Sequence, residues 1–154
     1  MPTEQMEGHA DAAVVTEIVA VAWETFVGQP LLVEVPPPLL GEPLCASIAI
    51  GGPWNATLIL SCSRTAAVNG ASLLLGLSPD ELDDHDVLDI LGEFANIVGG
   101  NLKGVVSASG DGDWTLSLPV VSCGVQTVPG SVCALLIGFT CEGEPLSCEV
   151  REHA

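Results

Sequence analysis

Residues 89–101 read Asp-Ile-Leu-Gly-Glu-Phe-Ala-Asn-Ile-Val-Gly-Gly-Asn and form the centre of an amphipathic helical pattern. Side chains three or four residues apart on a helix are neighbours, so Asp89, Glu93 and Asn96 lie along one side. The other side is apolar and must dock on the rest of the fold. Its residues are Val87, Ile90, Leu91, Phe94, Val98, Leu102 and Val105. The outward side, here called the polar stripe, comprises Asp86, Asp89, Glu93, Asn96, Gly100 and Lys103.

Start and stop signals place the helices of the chain. Ser78-Pro79-Asp80-Glu81 combines an N-cap, a proline suited to the first helical position and a capping box, so it predicts that the long helix begins there and runs to about Ser107. Helical periodicity over residues 11–27 predicts a first helix that ends at Gly28. Ser63 predicts the N-cap of a second helix that runs to about Leu75 and ends at Gly76.

Short apolar runs predict the strands. Two runs around Gly51-Gly52-Pro53 indicate a β-hairpin, and the short turns between the later strands predict that successive strands are antiparallel neighbours. The predicted strands are Leu31–Val35, Leu44–Ile50, Trp54–Ser61, Trp114–Leu118, Val120–Val128, Val132–Cys141 and Glu144–Val150. This order predicts an α+β fold, a mostly antiparallel sheet with long helices packed on one face. The length of the chain indicates a single domain over residues 1–154, with a core at about residues 10–150.

Composition narrows the class of partner. The chain carries 20 Asp plus Glu against 3 Lys plus Arg, a formal net charge of −17. Binding to nucleic acid or to an anionic membrane surface needs clustered Lys and Arg, so neither is expected. The N-terminus has Glu4, Glu7 and Asp11 where a signal peptide would be basic, and no apolar run is long enough to span a membrane, so we expect a cytoplasmic protein.

The remaining candidate groups predict no metal or redox centre. The six cysteines lie mostly in apolar runs without a CxxC pair, which favours structural free thiols over a metal or redox site. His9, His85 and His153 lie in acidic or terminal segments, where we expect exposed side chains without a catalytic role.

Gly99 and Gly100 weaken the long helix, and two interpretations explain why they are present. The pair either lets another backbone approach the polar stripe, or packs against the protein's own sheet. Lys103 is the one cation on this helix. It either contacts an acidic partner or pairs with an Asp or Glu of the same helix.

The residues of the polar stripe also match a family pattern. Asp, three residues, Glu, two residues, Asn, twenty-two residues and Pro are present as Asp89, Glu93, Asn96 and Pro119, and Gly100-Asn101 follows. This arrangement resembles the signature of the CheC/CheX/FliY chemotaxis phosphatases, and the order of elements over residues 10–150 resembles that family too. Because the pattern occurs once, the chain is most similar to the CheX type, which implies a homodimer. We expect Pro119 to hold the chain between two strands.

The resemblance implies hydrolysis of the phospho-aspartate on a CheY-like receiver of two-component signalling. It implies Asn96 as the residue that aims a water at the phosphorus and Glu93 as the partner of the receiver's lysine. Asp89, Gly99, Gly100 and Lys103 are the expected partner-contacting residues. The resemblance implies no cofactor in this chain, since the Mg²⁺ of the reaction belongs to the receiver. Two alternatives are a receiver-binding or signalling module without catalysis, and a purely structural dimer.

Overall fold

The computed structural model describes residues 11–35, 41–108, 110 and 112–153. Its helices are α1 (Ala12–Val27), α2 (Arg64–Leu75) and α3 (Asp84–Ser107). Its strands are β1 (Leu32–Val33), β2 (Leu44–Gly51), β3 (Ala56–Cys62), β4 (Thr115–Leu116), β5 (Val120–Cys123), β6 (Ser131–Cys141) and β7 (Glu144–His153). They form a seven-stranded sheet in the order β1-β6-β7-β3-β2-β4, with β5 also paired to β2. Every pairing is antiparallel, so the predicted α+β fold is confirmed.

The helices pack on one face of this sheet. Alternate residues of β2, from Leu44 to Ile50, belong to the apolar core cluster together with residues of β3 and β7. Above them, Phe94 of α3 meets the Trp23 ring of α1 edge to face, with ring centroids 5.2 Å apart. One apolar cluster joins all three helices to the sheet, and α3 lies over β2 at its centre.

Local signals placed most helix ends and the hairpin correctly. Asp11 and Ser63 each accept a hydrogen bond from a backbone N–H in the first turn of α1 and α2. Gly28 and Gly76 end these helices in the left-handed conformation, at φ 86° and 68°. The hairpin of β2 and β3 pairs Ile50 with Ala56 across its turn.

The start of the long helix was predicted wrongly. Ser78 and Glu81 do form a capping box, but it closes only a short 3₁₀ turn at Pro79–Glu81. Leu82 is extended, at φ −99° and ψ 135°, and breaks the helical path. Asp83 then caps α3 through a second box with Asp86. The two capping boxes lie five residues apart, and the second one begins the helix.

Of the strand neighbours predicted after α3, β6 with β7 is confirmed, whereas β4 with β5 and β5 with β6 are wrong. β4 and β5 do not pair with each other; both lie along β2, opposite Gly51–Ile50 and Ser47–Leu44. Between them, Ser117 N donates to Ala49 O at 2.9 Å, so the two strands act as one interrupted edge. β5 ends at Cys123 rather than at Val128, because Gly124 has a positive φ of 107° and interrupts the strand. The next strand, β6, lies near the opposite edge of the sheet. β1 likewise covers only two of the five residues predicted.

Candidate functional site

The site is built on α3, which is one helix from Asp84 to Ser107. At its first turn Asp83 Oδ1 accepts a hydrogen bond from Asp86 N at 2.8 Å, and Asp86 Oδ2 accepts one from Asp83 N at 3.2 Å. These bonds satisfy backbone N–H groups that a helix start leaves unpaired. Gly99 and Gly100 do not interrupt the helix. The polar stripe is therefore carried by one continuous helix.

The two predicted faces of α3 are present, with one change. The buried residues are Val87, Leu91, Gly92, Phe94, Ala95, Val98, Gly99, Leu102 and Val106. Val105, predicted to be in the apolar face, is 43% exposed, and Val106 is buried in its place. The apolar face therefore drifts by one residue at the end of the helix. The wrong assignment came from extending a fixed pattern past Leu102.

Glu93 and Asn96 lie one turn apart on the exposed side of α3. Neither side chain forms a hydrogen bond or ion pair with another residue in the described part of the chain. Asp89, one turn earlier, is also exposed, and its Oδ2 is 3.4 Å from His85 Nε2. That contact becomes an ion pair only when the exposed imidazole is protonated. The Glu93 carboxylate and the Asn96 amide are thus presented to solvent with their hydrogen-bonding groups free.

Gly99 and Gly100 occupy different environments although they are adjacent. A Cβ on Gly99 would be 2.7 Å from Ile48 Cγ2 and 3.2 Å from Leu116 Cδ1, so Gly99 packs against the protein's own sheet. A Cβ on Gly100 would have only Leu116 Cδ2 as a neighbour, at 4.0 Å. Gly99 is buried and not accessible to a partner, which corrects its expected place among the contact residues. Gly100 remains on the accessible polar stripe.

The edge formed by β4 and β5 lies beside Asn96. A Cβ on Gly92 would be 3.0 Å from Val121 Cγ1 and 3.7 Å from Pro119 Cγ. Gly92 and Gly99 are buried, and the exposed Asn96 lies one turn from each of them, at the border of the buried side. The edge strand therefore passes close beneath the Asn96 side of α3. Gly92 was not among the residues predicted from the sequence, although two glycines seven residues apart, Gly92 and Gly99, indicate close approach along one helix side.

The cationic side chains differ in whether they have an acidic partner. Arg64 pairs with Asp84 at the start of α3, and this hydrogen bond raises the pKa of Arg64 above its ordinary value. Arg151 pairs with Glu149 at 3.2 Å on β7. Lys103 is half-buried and has no ion-pair partner within residues 11–35, 41–108, 110 and 112–153. Of the two alternatives for Lys103, the intrahelical pair is thus not present in the described structure.

The remaining candidate groups lie away from this surface. His153 is half-buried and its Nε2 is 2.9 Å from Thr57 Oγ1, so the expected full exposure is wrong there. The expectation for His9 lies outside the described residues. No group of His, Cys, Asp and Glu in the described ranges is arranged to hold a metal ion. None of the described helices is long and apolar enough to cross a membrane.

Comparisons with known proteins agree with this architecture. The sequence model of the family described as "Chemotaxis phosphatase CheX" matches residues 44–140, a range that contains Asp89, Glu93, Asn96 and Pro119. No curated protein matches the sequence.

Solved structures of low sequence identity share the fold. The chemotaxis protein CheX from Vibrio vulnificus superposes with a TM-score of 0.76 at 20% identity, over 92% of this chain and 96% of that chain. CheX from Desulfovibrio desulfuricans gives 0.74 at 18% identity, over 97% and 99% of the two chains. A CheX–CheY–BeF₃–Mg²⁺ complex from Borrelia burgdorferi gives 0.72 at 16% identity, over 91% and 96%. At these identities the likeness is one of fold.

Proposed function

Because this chain belongs to the chemotaxis phosphatase CheX family, we propose that it hydrolyses the phospho-aspartate of a CheY-like receiver, with Glu93 and Asn96 as its catalytic residues. The observation that carries the proposal is the presentation of these two side chains. They are exposed one turn apart on a rigid helix, without hydrogen-bond partners in the described part of the chain. A pair of groups left free on a rigid helix is suited to act on a partner.

The chemistry requires little of the phosphatase beyond positioning. An acyl phosphate is already activated, so a water oxygen attacks the phosphorus and the aspartate carboxylate leaves as the bond from phosphorus to its oxygen breaks. The products are inorganic phosphate and a free aspartate. Asn96 accepts a hydrogen bond from the water through its amide oxygen and holds it in line with that bond. Such positioning lowers the entropic part of the barrier.

Glu93 serves to open the receiver's site. Its carboxylate pairs with the receiver's lysine and draws that ammonium group aside, which makes room for Asn96 one turn along the helix. The metal of the reaction is the Mg²⁺ of the receiver, and this chain supplies no cofactor. In support, the Borrelia burgdorferi CheX has been solved with CheY, BeF₃ and Mg²⁺. Asp89, Gly100 and Lys103 complete the proposed contact surface along the stripe.

The test is the decay of a phosphorylated receiver from the same organism in Mg²⁺, with and without this protein. We expect acceleration, and we expect Asn96→Ala to reduce it by about a hundredfold or more while receiver binding is retained. Asn69→Ala on α2 is the matched control and should behave as the wild type. Binding of the receiver without any acceleration would overturn the phosphatase and favour the alternative, a receiver-binding module without catalysis.

Three further properties belong to the same proposal. We propose that residues 1–154 act as one domain, that the protein is cytoplasmic, and that it forms a homodimer. The single apolar cluster supports the first of these. Both edges of the sheet, β1 with β6 and β4 with β5, offer strands on which a second copy could pair. Light scattering across a range of protein concentrations tests the dimer.

A further inference from the structure

A surface groove runs between α1 and the C-terminal half of α3. Gly100, Gly104 and Ala108 line its α3 side, and Ile18, Val21 and Val105 supply apolar walls. Val21 is 55% exposed and Val105 is 43% exposed, so large apolar side chains face solvent on both sides of the groove. Exposed apolar side chains that face each other across a concave surface are typical of a docking site.

Small residues on α3 leave room for the groove. Residues 100, 104 and 108 are spaced four apart and therefore lie in one row along the helix. A Cβ built on Gly104 would meet no atom of residues 11–35, 41–108, 110 and 112–153 within 4 Å. Gly104 therefore serves no packing contact among the described residues, in contrast to Gly99, which Ile48 contacts closely. Glycine weakens a helix interior, so the presence of a glycine without packing neighbours at position 104 calls for a role other than packing.

The groove is continuous with the polar stripe. Gly100 belongs to both, and it lies one turn beyond Asn96. A partner that reaches Glu93 and Asn96 must cover more than two side chains, because a specific interface buries about 800 Å² on each partner. The centre of an interface is also its most apolar part, with polar groups at the rim. The groove is mostly apolar surface directly beside the polar stripe, and Glu17 and Asn101 are the polar residues of its lining.

From this continuity we propose that the α1–α3 groove receives an apolar side chain of the receiver, from the surface next to its phosphorylated pocket. The inference rests on the proposed function, since the receiver is the occupant. Glu93 and Asn96 then act on the phosphoryl group, while the groove fixes the register of the receiver along α3. The groove beside the C-terminal half of α3 thus supplies affinity, and the polar stripe of the same helix supplies the chemistry.

Gly104→Leu tests the groove without disturbing the fold. The new side chain fills open space and removes a helix glycine, so the melting temperature should be unchanged or raised. The probe is the receiver activated with beryllofluoride and Mg²⁺, titrated by calorimetry. We expect about tenfold or greater loss of affinity, and in the decay assay a raised KM with kcat retained at saturation. Thr65→Leu adds the same side chain at an exposed position on α2 and should bind as the wild type.

The outcomes separate the groove from the activity. Equal affinity of wild type and Gly104→Leu would overturn the groove and leave the phosphatase standing. Absence of receiver binding by the wild type would overturn both. A change in oligomeric state with Gly104→Leu, measured by light scattering, would assign the groove to a second copy and overturn its assignment to the receiver. If deletion of residues 2–10 raised the affinity of the wild type and abolished the effect of Gly104→Leu, the occupant would be this chain's own N-terminal segment, which also overturns the proposal.

Discussion

Gly99 of α3 lies so close to Ile48 of β2 that a Cβ at position 99 would be 2.7 Å from Ile48 Cγ2. Ile48 is 2% exposed and branched at Cβ, so its methyl group cannot move aside easily. The contact sets the distance between the site helix and the central strand. The neighbouring Gly100 has no comparable contact and keeps the polar stripe open.

Gly99→Ala should therefore destabilise the protein, whereas Gly100→Ala should stabilise it. Overpacking a core costs about 1–3 kcal/mol, and replacing a helix glycine by alanine returns about 1 kcal/mol. We expect Gly99→Ala to lower the free energy of unfolding by about 1 kcal/mol, and Gly100→Ala to raise it by about 0.5–1 kcal/mol. Urea unfolding followed by Trp fluorescence measures both. Equal stability of the two variants would contradict the close contact.

The second capping box of α3 predicts a different stability effect. Asp83 Oδ1 accepts a hydrogen bond from Asp86 N at 2.8 Å at the start of a long helix, whereas Ser78 and Glu81 close a three-residue turn. Asp83→Ala should cost about 1 kcal/mol, and Ser78→Ala distinctly less. Chemical denaturation of the two single variants measures the difference. A larger loss in Ser78→Ala would mean that the turn, and not Asp83, nucleates the helix.

Sequence alone predicted the elements that local chemistry determines. Ser63 as a cap, and Gly28 and Gly76 as helix ends, act within a few residues of themselves. The choice between Ser78 and Asp83 is different, because both are valid starts and the extended Leu82 between them decides it. The extended conformation of Leu82 depends on how α3 packs on the sheet, and the neighbouring residues alone do not determine that packing.

Pairing in the second half of the chain also depends on tertiary structure. The turns after Leu116 and Cys123 are short enough for hairpins, yet β4 and β5 extend one edge on β2 and β6 lies across the sheet on β7. The family pattern pointed to Glu93 and Asn96, but it could not distinguish Gly99 from Gly100. Only the position of Ile48 under one of them separates a packing glycine from an accessible one.

The cysteines predict a graded chemical reactivity. Cys45, Cys62, Cys141 and Cys148 are buried and free, whereas Cys123 and Cys133 are exposed. Burial raises the pKa of Cys62 and of Cys148 to about 12. A thiol reagent at pH 8 should modify Cys123 first and Cys133 more slowly, because partial burial and Glu149 raise the pKa of Cys133. Mass spectrometry should find the other four labelled only after unfolding; native labelling of Cys148 would contradict its burial.

The same two buried thiols predict loss of stability in alkali. A thiol with a pKa near 9.0 when unfolded and about 12 when folded resists ionisation in the native state. Its contribution to stability is complete below pH 9 and is lost as the pH rises toward 12. The free energy of unfolding should therefore fall over this range. Cys148→Ala should reduce the slope of the fall, although it also leaves a small cavity; an unchanged slope would contradict the assignment.

Glu93 should act through charge on the receiver's lysine. Glu93→Gln keeps the size of the side chain and removes its charge, and the exposed side chain has no described hydrogen bond to lose, so stability should not change. We expect KM for the phosphorylated receiver to rise about tenfold, the scale of a charge-assisted hydrogen bond, with a smaller loss of kcat than in Asn96→Ala. Glu24→Gln, on the exposed side of α1, is the matched control.

A double-mutant cycle that combines Glu93→Gln with Lys→Ala in the receiver then decides the mechanism. If Glu93→Gln has little further effect on the lysine-free receiver, the two groups act as a pair. Fully additive losses would show that Glu93 works independently of that lysine.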